Sequence, residues 1–175
     1  PILVLQVHKD LDIPFVGLKQ GVHSFNFEIG KTFFDAFPFS IVEKGKISVE
    51  LSLDKKDTLM IGTFKAKGTV VSNCVTCNEL FDAPINGEMK IYYKFGYENE
   101  DDENLIILPP EAYKIEPAQQ IYELITVSLS ANPRHKEGEC DQEVLSLLKG
   151  YQKEVNQNKN KEVDPRWEKL NKLNK

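Results

Sequence analysis

Residues 46–71 read KISVELSLDKKDTLMIGTFKAKGTVV, and this stretch decides the fold class. Apolar and polar residues alternate over 47–53, which is the period of a strand with one buried face. A polar turn at 54–57 follows, and strand character resumes over 59–71. The stretch therefore predicts a β-hairpin.

Further strands are indicated on both sides of this hairpin. Residues 85–95 alternate in the same way, and residues 22–29 do so less regularly. A short apolar run at 105–108 ends at two prolines, and the Phe-rich segment 31–39 is predicted to plug the sheet as a short helix or turn. Strands joined by polar turns predict a mainly antiparallel sheet.

Helical spacing replaces the strand period after residue 115. Four apolar residues that share one helical face predict the first helix: Ile121, Leu124, Ile125 and Leu129. A second helix is predicted to begin at an Asp141 N-cap and to end at Gly150. The fold class expected is α+β, with a few helices on one side of the sheet.

Composition divides the chain into three parts. Residues 1–150 are predicted to form a single α+β domain, residues 151–163 a polar linker, and residues 164–175 a basic amphipathic tail. The tail opens with an Asp164 N-cap and Pro165 at the first helical position. A helix this short is not stable alone, so it is predicted to be a docking element.

The charge of the chain is unevenly distributed. The net charge of the 175 residues is −5. Residues 99–148 carry 3 Lys or Arg against 11 Asp or Glu, whereas residues 149–175 carry 8 against 4. The basic tail favours a polyanionic partner, and the alternative is a merely solvated tail.

Several features bear on the compartment. No apolar run approaches the roughly 18 residues that a membrane helix needs, so no membrane partner is expected. Lys9 and Asp10 directly follow the apolar run at 2–7, which does not match a signal peptide. The odd number of cysteines, 3, indicates a reducing compartment, and a cytoplasmic location is expected.

The cysteines fall into two compact groups that could bind a metal. Cys74 and Cys77 form a C-x-x-C pair, and His135 and Cys140 follow with four residues between them. Three thiolates and one imidazole are a common ligand set for structural zinc, which is the predicted cofactor. The alternatives are buried or idle cysteines, and a redox pair, which normally needs a helix N-terminus at the first cysteine.

A basic, partly aromatic surface is the candidate site for RNA or another partner. On the sheet it comprises Lys65, Lys67, Lys90, Tyr92 and Lys94. In the tail it comprises Arg166, Trp167, Lys169 and Lys172. Lysines can contact phosphates and tyrosine can stack on a base, although lysines on a sheet face are often only solubilising. DNA is not expected as a partner.

The sequence contains no recognisable catalytic motif. It lacks a Gly-rich phosphate loop, a G-x-S-x-G elbow and an H-E-x-x-H helix. A non-enzymatic role is therefore expected.

A set of short motifs extends along most of the chain. In order they are Ile13-Pro-Phe-Val-Gly-Leu-Lys-Gln-Gly21, Phe33-Phe34, Gly68, Cys74-x-x-Cys77, Ile121-Tyr-Glu-Leu124, Pro133-x-His135, Cys140, and Asp164-Pro-Arg-Trp167 with Leu170. Their order and spacing resemble the YceD family of large ribosomal RNA subunit accumulation proteins, in the form typical of Bacteroidetes-like members. Many members have an arginine where this chain has Val75-Thr76, and a second cysteine pair where it has His135 and Cys140.

The resemblance implies a non-catalytic role in accumulating the large-subunit ribosomal RNA. The expected function is a ribosome-assembly factor that binds the large-subunit precursor, with that RNA or particle as partner. One alternative is a zinc-stapled module that escorts a large-subunit ribosomal protein. A thiol enzyme is the third hypothesis.

Overall fold

The hairpin predicted from residues 46–71 forms the centre of a five-stranded sheet. This computed structural model describes residues 10–97 and 102–158, the last seven of them as helical backbone. Its strands are β1 (Ile13–Pro14), β2 (Gly21–Ile29), β3 (Gly45–Lys55), β4 (Leu59–Asn73), β5 (Leu80–Phe95), β6 (Leu105–Leu108) and β7 (Lys114–Ile115). Its helices are α1 (Lys31–Phe34), α2 (Ala118–Val127) and α3 (Gln142–Asn158).

The sheet is mainly antiparallel, as predicted. Its order is β2-β3-β4-β5-β6, so the strands from β2 to β5 pair in the order in which they follow one another in the chain. Strand β6 joins β5 in parallel, and β1 and β7 form a separate antiparallel pair. The α+β prediction is confirmed.

The inner face of the sheet forms the core together with α1 and α2. Side chains such as Leu51 and Phe64 are fully buried there, and α2 contributes Ile121 and Ile125. The helix lies so close to β5 that a Cβ atom at Gly87 would be 1.9 Å from the Ser128 hydroxyl oxygen. The opposite face of the sheet is left exposed.

The predicted boundary of α3 is right at its N-terminus and wrong at its C-terminus. Asp141 Oδ1 accepts hydrogen bonds from the backbone amides of Glu143 and Val144 at 2.7 and 3.2 Å, which confirms the predicted N-cap. The predicted stop at Gly150 was wrong, because the helix continues to Asn158. Among the described glycines a positive φ, which favours ending a helix, occurs at Gly21 and Gly138 and not at Gly150.

The extended α3 overlaps the first part of the predicted linker, 151–163. The rest of that linker, the predicted tail 164–175 and the apolar run at 2–7 lie outside the described residues. Within the two described ranges, no helix combines the length and apolar character needed to cross a membrane.

Candidate metal centre and nucleic-acid face

The first half of the candidate metal centre is the turn that joins β4 to β5. The Cys74 amide donates to the Glu79 carbonyl at 2.9 Å, and the Asn78 amide donates to the Cys74 carbonyl at 2.8 Å. The Thr76 amide points at Cys74 Sγ, 3.4 Å away. Asn78 takes a φ of 61°, a left-handed conformation that asparagine tolerates better than most residues. This tight turn holds both sulfurs of the C-x-x-C pair on one side.

The second half is the loop between α2 and α3. A hydrogen bond of 2.9 Å from the Val75 amide to the Pro133 carbonyl ties this loop to the first turn. The ring of His135 lies against the ring of Phe81, with centroids 4.6 Å apart, which orients the imidazole. Gly138, with a φ of 90°, turns the chain so that Cys140 returns to the cluster just before α3.

The two halves bring four potential ligand atoms together. The sulfurs of Cys74, Cys77 and Cys140 and a ring nitrogen of His135 all lie within 4.8 Å of one another. His135 Nδ1 is 3.3 Å from Cys77 Sγ and 3.8 Å from Cys140 Sγ. The arrangement is compatible with a metal site.

The electrostatics of the cluster favour a cation. Burial opposes a charged sulfur at Cys74, which is only 1% exposed. Hydrogen bonds from the backbone amides of Cys77, His135 and Thr76, and one with the His135 ring, outweigh this effect and lower the pKa of Cys74 to about 5. Burial and the neighbouring sulfurs of Cys74 and Cys77 raise the pKa of Cys140 to about 11. A bound cation would remove this conflict, because it stabilises every thiolate at once.

The donor set fits a tetrahedral thiolate site. Two sulfurs bound at about 2.3 Å to one tetrahedral ion lie about 3.8 Å apart. The Cys74 and Cys140 sulfurs are 3.8 Å apart, and all three cysteines are free thiols rather than a disulfide. The buried Cys74 sits in a turn between strands, not at a helix N-terminus, so the redox interpretation gains no support.

The candidate RNA-binding residues of the sheet share the exposed face. The strand register places alternate residues of β4 and β5 opposite one another on that face. All five predicted residues are exposed there: Lys65, Lys67, Lys90, Tyr92 and Lys94. Tyr92 is 37% exposed and borders a shallow depression together with Lys90 and Asn104.

Charge on this face is mixed rather than uniformly basic. Lys65 stands directly opposite Glu50 on β3 and Glu88 on β5. Lys67 and Lys90, in contrast, stand opposite uncharged residues on the strands paired with them in the register. The two glutamates therefore offset part of the positive charge that this face would present to a polyanion.

Residues that were not predicted as part of the site orient the clustered side chains. Phe81, Asn78 and the Pro133 carbonyl each support the cluster without carrying a ligand atom. Two of them left a signal: Pro133 belongs to the Pro133-x-His135 motif, and Asn78, directly after the second cysteine, is of a type that tolerates a left-handed conformation. The predicted binding residues of the tail lie outside the described part of the chain: Arg166, Trp167, Lys169 and Lys172.

Comparison with known proteins supports the family resemblance. No curated protein and no solved structure matches the chain. The family model described as large ribosomal RNA subunit accumulation protein YceD matches residues 62–174, which is more than half of the chain. The matched region contains most of β4, all of β5, the four clustered residues and all but the last residue of the predicted tail. The chain therefore belongs to the YceD family, whose members are involved in the accumulation of large ribosomal subunit RNA.

Proposed function

We propose that this protein is a non-catalytic assembly factor that acts in the cytoplasm by binding the precursor of the large ribosomal subunit. Family membership supplies the link to large-subunit RNA. The observation that supports binding to RNA is the exposed sheet face. Lysines and Tyr92 lie beside one another on this face, on the side opposite the buried core. Such a face can contact phosphates with its lysines and stack a base on its tyrosine.

We further propose that the metal is zinc and that its role is structural. Three thiolates and one imidazole from protein side chains complete a four-ligand set, which leaves no position open for a substrate. The four residues that would hold the ion are Cys74, Cys77, His135 and Cys140. The bound ion would join the end of β4 to the loop before α3, and its binding free energy would add to folding.

Sedimentation and nuclease treatment together test the proposed function. A tagged chain is expected to co-sediment with large-subunit precursors in a sucrose gradient. RNase treatment before capture is expected to disperse the co-captured proteins, because RNA holds them to the chain. Failure to co-sediment with any large-subunit particle would overturn the proposal.

The affinity for large-subunit RNA is expected to fall only gently with salt. Each phosphate contact contributes a log–log slope of about −0.7 to −0.9, and few contacts are expected from a face with mixed charge. A total slope of about −2 to −4 is predicted from a filter-binding or anisotropy titration over several salt concentrations.

Matched variants locate those phosphate contacts. The double variant Lys67→Gln with Lys90→Gln is expected to make the log–log slope less negative by about 2. Lys65→Gln serves as the control and should change the slope less, since Glu50 and Glu88 flank this lysine. A slope that none of these variants changes would place the RNA elsewhere on the protein.

A second candidate function is the escort of a large-subunit ribosomal protein. The observation in its favour is the surface of α3, where the apolar side chains of Leu147 and Tyr151 are exposed. Exposed apolar residues on a helix are common at protein interfaces. Under this alternative, one ribosomal protein would stay bound to the chain after RNase treatment.

A further inference from the structure

The five-stranded sheet has two outer strands, and they differ in the features that prevent further pairing. Strand β6 contains 4 residues and is followed directly by Pro109 and Pro110; short length and proline are two common ways of blocking a sheet edge. Strand β2, at the other edge, contains 9 residues and neither lysine nor proline. Its register with β3 runs from Gly21 to Ile29 without a bulge. The edge of β2 is therefore suited to accept another strand.

The outer edge of β2 has no partner strand within the described part of the chain. Among those residues, only β3 pairs with β2. Phe25 and Phe27 of β2 pack against the core but are only half-buried, whereas Leu51 and Val49, which stand opposite them on β3, are fully buried. A further strand beside β2 would cover the exposed part of the two phenylalanines.

The sequence of β2 is compatible with pairing to itself. In an antiparallel pair of two copies centred on Phe25, all nine residues have a partner. Phe25 then stands opposite Phe25 of the second copy, Phe27 opposite His23, and Glu28 opposite Val22. Glu28 is the only acidic residue of β2, and no lysine or arginine accompanies it, so no like charges meet. A strongly charged peptide would gain little from such a strand, which favours a second copy as the occupant.

We propose that the chain forms a symmetric dimer in which the β2 strands of two copies pair in an antiparallel manner, centred on Phe25. The two five-stranded sheets then form one sheet of ten strands, related by a two-fold axis. Residues directly opposite one another in an antiparallel pair point to the same face. The lysine-bearing faces of both copies therefore lie on the same side of the joined sheet. The pairing itself does not depend on the proposed function.

Two charge variants test both the dimer and its register. Ser24 and Asn26 are exposed on the outer face and stand opposite each other in the proposed pair. Ser24→Lys with Asn26→Lys places lysine against lysine twice and is expected to weaken dimerisation about tenfold. Ser24→Glu with Asn26→Lys places glutamate against lysine twice and is expected to keep the dimer. Both variants carry the same lysine opposite Glu50 of β3, so the single chain is affected alike there.

Analytical ultracentrifugation over a range of protein concentrations measures the equilibrium. The natural chain is expected to pass from 20.0 kDa to about twice that mass as the concentration rises. Its Tm should rise with concentration as well, because association stabilises the folded state. Ser48→Lys with Ser52→Lys is the matched control: it adds the same charge to the same face, but on β3 and away from the outer edge, and should dimerise like the natural chain.

A natural chain that stays monomeric at every concentration overturns the proposal. So does a dimer that Ser24→Lys with Asn26→Lys leaves unchanged, since its interface would then lie elsewhere. Equal loss of the dimer in both β2 variants would contradict the pairing centred on Phe25. A monomer that co-sediments with precursor particles contradicts this inference alone, whereas a dimer that binds no particle contradicts the proposed function alone.

Discussion

Cys140→Ser is expected to abolish zinc binding and to lower the free energy of unfolding by at least about 3 kcal/mol. Cys140 is only half-buried, so serine in its place would cost little if the cysteine merely filled space. If the sulfur holds zinc, however, the free energy of metal binding is lost with it, and structural zinc contributes about 10–16 kcal/mol in small peptides. For a chain of this size, a loss of 3 kcal/mol lowers the Tm by roughly 6–12 °C.

Metal analysis of protein purified without chelator, together with thermal unfolding, checks this expectation. The natural chain should contain one zinc per molecule, and Cys140→Ser should contain none. Val75→Ser is the control, because Val75 lies between Cys74 and Cys77 in the other half of the cluster, is 51% exposed and carries no ligand atom. His135→Cys should keep zinc, since a fourth thiolate replaces the imidazole. A Cys140→Ser protein that retains both its zinc and its Tm would contradict the metal assignment.

Deletion of residues 162–175 is expected to abolish co-sedimentation with large-subunit particles and to change the Tm by less than about 2 °C. The deleted segment contains the only tryptophan of the chain, Trp167, next to Arg166. Residues of these two types often dominate the energy of an interface. A polar stretch precedes the segment, and a helix this short is not stable alone, so the core is expected to pack without it.

A charge variant provides the control for the deletion. Lys169→Gln with Lys172→Gln keeps Trp167 and should weaken the association without abolishing it. The docking assignment would be wrong if the deletion lowered the Tm by many degrees, because the tail would then belong to the core.

Sequence patterns predicted most of the sheet and the four residues that lie together as candidate metal ligands. Alternation fixed the hairpin of β3 and β4, since each strand buries one face only. The cluster could be predicted because cysteine is rare here and its spacing has chemical meaning. Strand β6 was expected, but its parallel pairing with β5 was not, since four apolar residues contain no information about their partner strand.

Close approaches between neighbouring backbone segments could not be predicted from the sequence. A Cβ atom at Gly68 would lie 2.1 Å from the Lys46 carbonyl oxygen, which explains the glycine in the motif only after the strands are paired. Alternation over 85–95 indicates a buried face, but it does not show that the Tyr93 hydroxyl has no hydrogen-bond partner within the described ranges, which depends on the surroundings in three dimensions. The end of α3 was mispredicted because a glycine without a positive φ can remain inside a helix.

The pairing of β1 with β7 has a consequence for the order of folding. Ile13 pairs with Ile115, and Asp12 binds Lys114 across 102 residues of chain. Closing a loop of that length costs about 4 kcal/mol of chain entropy, whereas β2 to β5 pair through short local connections. We therefore expect β2 to β5 to form the folding nucleus and the β1–β7 pair to form after the transition state. In stopped-flow measurements, Ile13→Val should accelerate unfolding and leave the refolding rate unchanged, whereas Val49→Ala should slow refolding. Equal slowing of refolding by both variants would show that the β1–β7 pair belongs to the folding nucleus.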